Sequence, residues 1–98
     1  MEFLLKIHEP GNNHVVALCD KELLGKKFSE NDLTLDIDPD FFGGKPAAIN
    51  EIKDAIQTAQ SVNIAGNEIV SKLMQHKILS PSGVKIIDKI KYAHIYRV

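Results

Sequence analysis

The sequence has few of the features that define membrane, secreted or disulfide-stabilised proteins. Its uninterrupted apolar runs, such as Phe3–Leu5 and Val15–Cys19, are far shorter than the roughly 20 residues of a membrane-spanning helix. The first residues lack the basic start and long apolar stretch of a signal peptide. A single cysteine, Cys19, excludes an internal disulfide and fits a reducing compartment. We therefore expect a cytoplasmic protein with no membrane segment.

The composition is that of an ordinary globular chain. The 98 residues are 44% hydrophobic and 26% charged, close to the usual proportions. A chain of this length buries roughly 60–65% of its unfolded surface, which is enough for one modest core. The sequence contains no internal repeat, linker or low-complexity tract. We expect a single α+β domain over residues 1–98.

The net charge of −1 hides an uneven distribution along the chain. Residues 1–27 carry equal numbers of acids and bases, residues 28–71 carry a net −6, and residues 72–98 carry a net +5. A basic last third can mark a surface that meets phosphate or an acidic partner. The alternative is that the acidic and basic segments face each other or alternate across the solvated surface.

The first 38 residues show mostly strand patterns. Residues 3–8 alternate in polarity, residues 10–13 are a dense turn signal, and residues 15–19 are apolar on both faces. This pattern predicts a hairpin whose second strand is central in a sheet. Residues 20–25 predict a short helical turn that Asp20 can cap, and residues 33–38 predict a third strand with an acidic outer face.

The rest of the chain predicts two helices and two further strands. Apolar residues recur at helical spacing over 49–59, and a second set runs from Ile69 to about Lys77. Between them, we interpret Asn63 as a capping residue and Gly66 as a terminating one. Strand patterns return over 84–87 and 92–98. The predicted order is βββααββ, with two helices on one face of a mostly antiparallel sheet of about five strands.

No motif in the sequence specifies a catalytic or metal site. Cys19 and four scattered histidines lack the paired spacing of zinc ligands, so we expect no metal and no cofactor and assign no catalytic residue. Gly43-Gly44-Lys45 lacks the spacing of a phosphate-binding loop. We interpret those two glycines as a flexible turn with positive φ angles.

The last strand carries the clearest binding pattern. Tyr92, His94 and Tyr96 alternate, so all three project from one face of the strand. Planar rings on an exposed sheet, with basic residues close by, can stack unpaired nucleobases. The alternative is that these rings only coat the solvent side of a strand whose Ala93 and Ile95 face the core. The candidate RNA-binding residues are Lys85, Lys89, Lys91, Tyr92, His94, Tyr96 and Arg97.

Several segments, taken together, resemble a known family. The block Cys19–Lys26 is similar to the pattern C-D-x-E-L-L-G-K of the archaeal domain of unknown function 424 family. The acidic strand 33–37, the element Phe42-Gly43-Gly44, the spacing of Asn63 and Gly66, and the late His94 are also similar and occur in the same order. In the family pattern a proline directly precedes this histidine. This chain departs from the pattern, because it has Ala93 at that position.

The resemblance implies an archaeal cytoplasmic protein with no established reaction. It also implies an RNA-binding or translation-linked role, in keeping with the basic last third. The residues that it singles out, without assigning them a role, are Cys19, Asp20, Gly25, Lys26, Gly43, Gly44, Asn63, Gly66 and His94.

Three hypotheses about function follow. The first is a non-catalytic module that binds RNA or a ribonucleoprotein, with no DNA and no membrane as partner. The second is a small-substrate enzyme in which Cys19, Asp20, Lys26 and His94 share one cleft. The third is a protein-interaction module whose acidic segment 30–40 docks on a basic partner such as a ribosome-associated protein. The sequence leaves the oligomeric state open.

Overall fold

The computed structural model describes residues 2–97, which form a six-stranded sheet, a two-stranded sheet and three α-helices. The strands are β1 (Phe3–His8), β2 (Val15–Asp20), β3 (Lys27–Glu30), β4 (Leu33–Asp36), β5 (Lys45–Ala47), β6 (Ser61–Ala65), β7 (Val84–Ile87) and β8 (Ile90–Tyr96). The helices are α1 (Pro39–Phe42), α2 (Ile49–Thr58) and α3 (Asn67–Gln75), and short 3₁₀ turns span Lys21–Leu23 and Pro81–Gly83.

The large sheet is mixed rather than purely antiparallel. Its strand order is β5-β1-β2-β6-β8-β7, and β2 and β6 run parallel while all its other neighbours are antiparallel. The predicted hairpin of β1 and β2 and the central position of β2 are confirmed, with Val16–Cys19 almost fully buried. The α+β class is also confirmed, whereas the predicted strand count and the order βββααββ are wrong.

The two faces of the large sheet are covered differently. Helices α2 and α3 pack on the same face, as predicted, and we call it the helix face. We call the other face the open face. Helix α1 and the β3–β4 hairpin cover only one end of it, through a small core that includes Cys19, Ile37 and Phe42. The remainder of the open face is left without a covering layer, and His94 and Tyr96 are exposed there.

Strand β6 is the main element that the sequence patterns miss. Val62 and Ile64 alternate with smaller residues and are buried on the helix face. The strand has only five residues, and Val62 continues the three-residue spacing of Ile56 and Ala59 in the preceding helix. Because the helical spacing runs into the strand, periodicity alone does not separate the two elements.

Other boundaries also differ from the prediction. Helix α3 begins at Asn67, and β8 begins at Ile90 and ends at Tyr96. Val98, which the sequence pattern placed in the last strand, lies outside the described residues. The third predicted strand is β4, the second strand of a separate hairpin. Leu33 at its start is 58% exposed, whereas Ile37, just beyond its end, is fully buried.

Asp20 joins the end of β2 to the start of α3. Its side chain is almost fully buried, and its Oδ2 and Oδ1 accept hydrogen bonds from the backbone N–H groups of Glu68 (3.0 Å) and Ile69 (2.9 Å). A carboxylate here satisfies two helix N–H groups that have no partner within the helix. The prediction that Asp20 caps the nearby helical turn is wrong, because its side chain makes no such bond to residues 21–23.

Gly66 makes this contact possible. It is the first residue before α3, with φ +131°, and a Cβ atom at this position would collide with the Asp20 carboxylate. Gly66 therefore starts a helix, whereas the sequence predicted that it ends one. Close approach of a backbone to another group is one of the standard reasons for a glycine.

Gly43 and Gly44 also allow the backbone to pass close to other backbone groups. The prediction of positive φ angles is wrong, since neither residue has one. A Cβ on Gly44 would overlap the backbone carbonyl of Leu5, and one on Gly43 would overlap that of Pro39. The pair lets the chain turn from α1 directly onto the edge of β1, where Lys45 pairs with Leu5.

We predict that Asp20→Ala lowers the free energy of unfolding by about 1–3 kcal/mol, because two N–H groups lose their acceptor. The measurement is urea denaturation at neutral pH. Asp38→Ala is the matched control, since Asp38 caps the short helix α1 through a single exposed bond of 3.2 Å. Equal losses in the two variants would contradict the role of Asp20.

Asp20 also predicts a pH dependence of stability. Burial raises the pKa of Asp20 above the ordinary 3.8, against the hydrogen bonds from Glu68 and Ile69, which lower it. The folded state therefore holds this proton more tightly than the unfolded state, so this contribution to stability falls as pH rises from 3.8 through the raised pKa. We expect Asp20→Asn to remove that part of the slope in unfolding measured at several pH values. An unchanged slope would contradict the assignment.

Candidate functional site: the open face of strands β6 and β8

Three rings form a row along β8 on the open face. Ala93 is buried against the helices, so the alternating residues Tyr92, His94 and Tyr96 project from the other side. Tyr96 is 62% exposed, His94 is exposed and Tyr92 is half-buried. The His94 and Tyr96 ring centroids lie 6.2 Å apart, with their planes tilted by 30°. The predicted placement of the three rings on one face is confirmed.

A row of small residues on β6 runs beside the rings. Ser61 pairs with Tyr96, Asn63 with His94 and Ala65 with Tyr92, and all six side chains share the open face. Directly opposed residues of an antiparallel pair have Cβ atoms about 4.5–5.5 Å apart. The floor of the open face is therefore a strip of rings beside a strip of small side chains.

Asn63 lies in the middle of this strip and is not a helix cap. It is half-buried between Ala17 of β2 and His94 of β8. Among the described residues, its side-chain amide makes no hydrogen bond with another protein group. The sequence marked both Asn63 and His94, but only the strand register shows that they are neighbours.

The predicted basic residues are spread over several surfaces. Lys85 pairs with Tyr92 and shares the open face, and it is exposed. Lys89 is exposed in the turn between β7 and β8, whereas Lys91 is half-buried and belongs to the helix face. The structure therefore brings one of the four bases onto the same face as the rings and leaves Lys89 at one end of β8.

The turn that carries Lys89 is held by side chains from two other elements. Asp88 and Lys89 have φ angles of 48° and 68°, the left-handed values that a two-residue hairpin turn requires. The Glu30 carboxylate accepts from the Asp88 N–H at 2.7 Å. Asn67 donates to the Lys89 carbonyl (3.2 Å) and accepts from the Lys91 N–H (2.8 Å). These bonds fix the position of Lys89 relative to the ring row.

Arg97 has a structural partner that the sequence did not indicate. Its Nη1 donates to the carbonyl oxygens of Ile56, Gln57 and Ala59 at 2.7, 3.0 and 2.9 Å. These carbonyls lie at the end of α2, where a helix leaves acceptors unpaired and favours positive charge. Arg97 therefore caps α2 and joins β8 to it.

Cys19, Asp20, Lys26 and His94 do not gather in one cleft. Cys19 belongs to the open-face side of β2 and is fully buried, whereas the adjacent Asp20 points to the helix face, where it caps α3. Burial, with the nearby charges of Asp20 and Glu22, raises the pKa of the Cys19 thiol to about 12. The thiol is protonated at neutral pH, and a nucleophilic cysteine needs the opposite shift. The proposed enzyme arrangement is therefore wrong.

Gly25 and Lys26 connect the β3–β4 hairpin to the rest of the chain. The Gly25 N–H donates to the Ile37 carbonyl (2.8 Å), and the Ile37 N–H donates to the Lys26 carbonyl (2.9 Å). Both contacts use backbone atoms, and the Lys26 side chain is exposed. This part of the Cys19–Lys26 block thus holds the covering layer in place.

One feature missed at the sequence level is an open groove of about 550 Å³ between β1 and α2. It lies at the edge of the helix face, away from the rings, and its apolar lining includes Leu5 and Ile7. The charged residues that line it are two lysines and two acids, Lys6, Lys45, Glu51 and Asp54. The charges balance, so they do not select a partner of either sign.

Residues 2–97 contain neither a membrane-spanning helix nor a cluster of metal ligands. No helix there has the length and apolarity required to cross a bilayer. Nor do three histidine, cysteine, aspartate or glutamate side chains of that range come together as metal ligands would.

Comparison with known proteins identifies the family. The model of the family described as "Protein of unknown function (DUF424)" matches residues 7–98. The chain belongs to this family. It is also similar to the crystal structure of an uncharacterized conserved protein from Methanopyrus kandleri, at 25% identity and a TM-score of 0.82. That match covers 98% of this chain and 91% of the other. No curated protein matches.

The residues that the family resemblance singled out now divide into two groups. Burial or the contacts described above account structurally for seven of them: Cys19, Asp20, Gly25, Lys26, Gly43, Gly44 and Gly66. Asn63 and His94 have no such contact among the described residues, and both lie on the open face. This pair is therefore the strongest candidate for a functional site in this member of the DUF424 family.

We predict that Arg97→Ala lowers the free energy of unfolding by about 1–3 kcal/mol, because three carbonyls at the end of α2 each lose a hydrogen bond. Lys89→Ala is the control, since its side chain is exposed and only its backbone carbonyl takes part in the hydrogen bonds that hold its turn. Urea denaturation measures both. A loss for Arg97→Ala no greater than that for the control would contradict the capping role.

Proposed function

We propose that this protein binds single-stranded RNA on the open face of β6 and β8. The observation that carries the proposal is the row of Tyr92, His94 and Tyr96, of which His94 and Tyr96 are exposed on the part of the open face that has no covering layer. Unpaired bases stack on such rings, and each stacked base contributes about 1–3 kcal/mol. RNA sequence is read mostly in unpaired segments, because side chains do not reach the bases in the deep groove of a duplex.

The charge near the rings supports an anionic partner. Strands β7 and β8 and their flanks, residues 84–97, carry four bases and one acid. Lys85 lies beside Tyr92 on the open face, and Lys89 is exposed at the nearby turn. Because Arg97 is bound to α2 and Lys91 belongs to the helix face, we assign the phosphate contacts to Lys85 and Lys89.

The acidic segment 30–40 has fewer free carboxylates for a basic protein partner than the sequence suggested. Glu30 accepts from the Asp88 N–H, Asp36 lies 4.0 Å from Lys27, and Asp38 caps α1. Three of its five carboxylates thus have partners within the protein. We therefore favour RNA over a basic protein, with cytoplasmic RNAs of translation, tRNA and rRNA, as the first substrates to examine.

We predict that His94→Ala and Tyr96→Ala each weaken binding of an unstructured 12-nucleotide RNA by about fivefold or more, because each removes a stacking surface. Fluorescence anisotropy at two salt concentrations measures the affinity. The salt dependence of these variants should match that of the native protein, since the rings carry no phosphate contact. His76→Ala, which replaces an exposed histidine just after the end of α3, is the matched control.

The phosphate contacts are tested in the same experiment. The double variant K85Q/K89Q should reduce the slope of log affinity against log salt, by about 0.7 for each phosphate that the protein no longer neutralises. Lys77→Gln controls for removal of an exposed lysine elsewhere. No RNA binding even at low salt, or equal losses in the control variants, would contradict the proposed function.

A further inference from the structure

We infer that Asn63 reads the identity of an unpaired nucleobase that stacks on His94. This inference rests on the proposed function and assigns the residue that determines its specificity. The two residues are directly paired across β6 and β8, and both project onto the open face.

The geometry places an amide where the edge of a stacked base lies. A base that stacks on a ring of β8 extends sideways over β6, because the directly opposed Cβ atoms are only about 5 Å apart. A base stacked on His94 therefore has its edge beside Asn63. A base stacked on Tyr92 would lie beside Ala65, and one stacked on Tyr96 would lie beside the hydroxyl of Ser61. Asn63 is therefore the amide beside the ring row.

The surroundings of Asn63 leave its amide available. On its other side the residue is Ala17, a small side chain with no polar group. No described residue accepts or donates a hydrogen bond with the Asn63 side chain, and its polar atoms keep contact with solvent. A half-buried amide on a central strand, without a protein partner, has no evident structural role in this fold.

The chemistry of an amide fits base recognition. Its oxygen accepts and its nitrogen donates, so it presents both at the spacing found on the edges of nucleobases. A bidentate pair of this kind discriminates between bases, whereas stacking alone tolerates every base. The structure thus separates the two tasks: His94 supplies affinity and Asn63 supplies selectivity.

The experiment compares the affinities of native protein and variants for 12-nucleotide oligo(A), oligo(U) and oligo(C). The native protein should prefer one of them by about fivefold or more. Asn63→Thr, which suits a strand, and Asn63→Ala should reduce the difference in affinity among the three RNAs to less than about twofold. His94→Ala should weaken binding to all three and keep their order. Asn50→Ala, which replaces an exposed asparagine of α2, is the matched control, and thermal unfolding checks that each variant is folded.

The outcomes distinguish this inference from the proposed function. If the native protein binds none of the three RNAs, the proposed function fails. If it binds them and the Asn63 variants keep the native spread, or if the native protein shows no preference, the assignment of Asn63 fails while RNA binding stands. Asn63→Asp gives an independent check, because a carboxylate only accepts and should change the order of preference.

Discussion

The parallel pairing of β2 with β6 is the constraint on which the rest of the structure depends. It joins the N-terminal hairpin to the β7–β8 pair, so that one continuous sheet forms from segments far apart in the chain. Both strands are apolar on the helix face, where Val16, Leu18, Val62 and Ile64 bind the sheet to α2 and α3. Parallel neighbours need a long connection, and residues 21–60 fill it with the second hairpin, α1, β5 and α2.

The same pairing decides where chemistry can occur. Once Val62 and Ile64 face the helices, Asn63 must face the other side, beside His94. The long connection returns over only one end of that side, where Ile37 and Phe42 cover Cys19 and Ala65. The thiol is thereby buried, and the rings at the other end are left in contact with solvent. A binding surface therefore accounts for the geometry better than a catalytic cleft does.

Local patterns in the sequence predict local structure and fail where distant residues meet. The hairpin, the helix starting at Ile49 and the ring row of β8 follow from periodicity within a few residues. The cap of α3 by Asp20 joins residues 48 apart in the chain, and that of α2 by Arg97 joins residues about 40 apart. The pairing of Asn63 with His94 also depends on the register of two strands. No periodicity in the sequence indicates which distant residues come together.

The most direct test of RNA binding on the open face is nuclear magnetic resonance of the native protein titrated with an unstructured RNA oligonucleotide. RNA binding on the open face predicts that the ring signals of His94 and Tyr96 and the side-chain amide signal of Asn63 shift together, while the signal of His76, just after α3, stays unchanged. Shifts confined to the groove between β1 and α2, or to the β3–β4 hairpin, would contradict it, because the RNA would then bind a different surface.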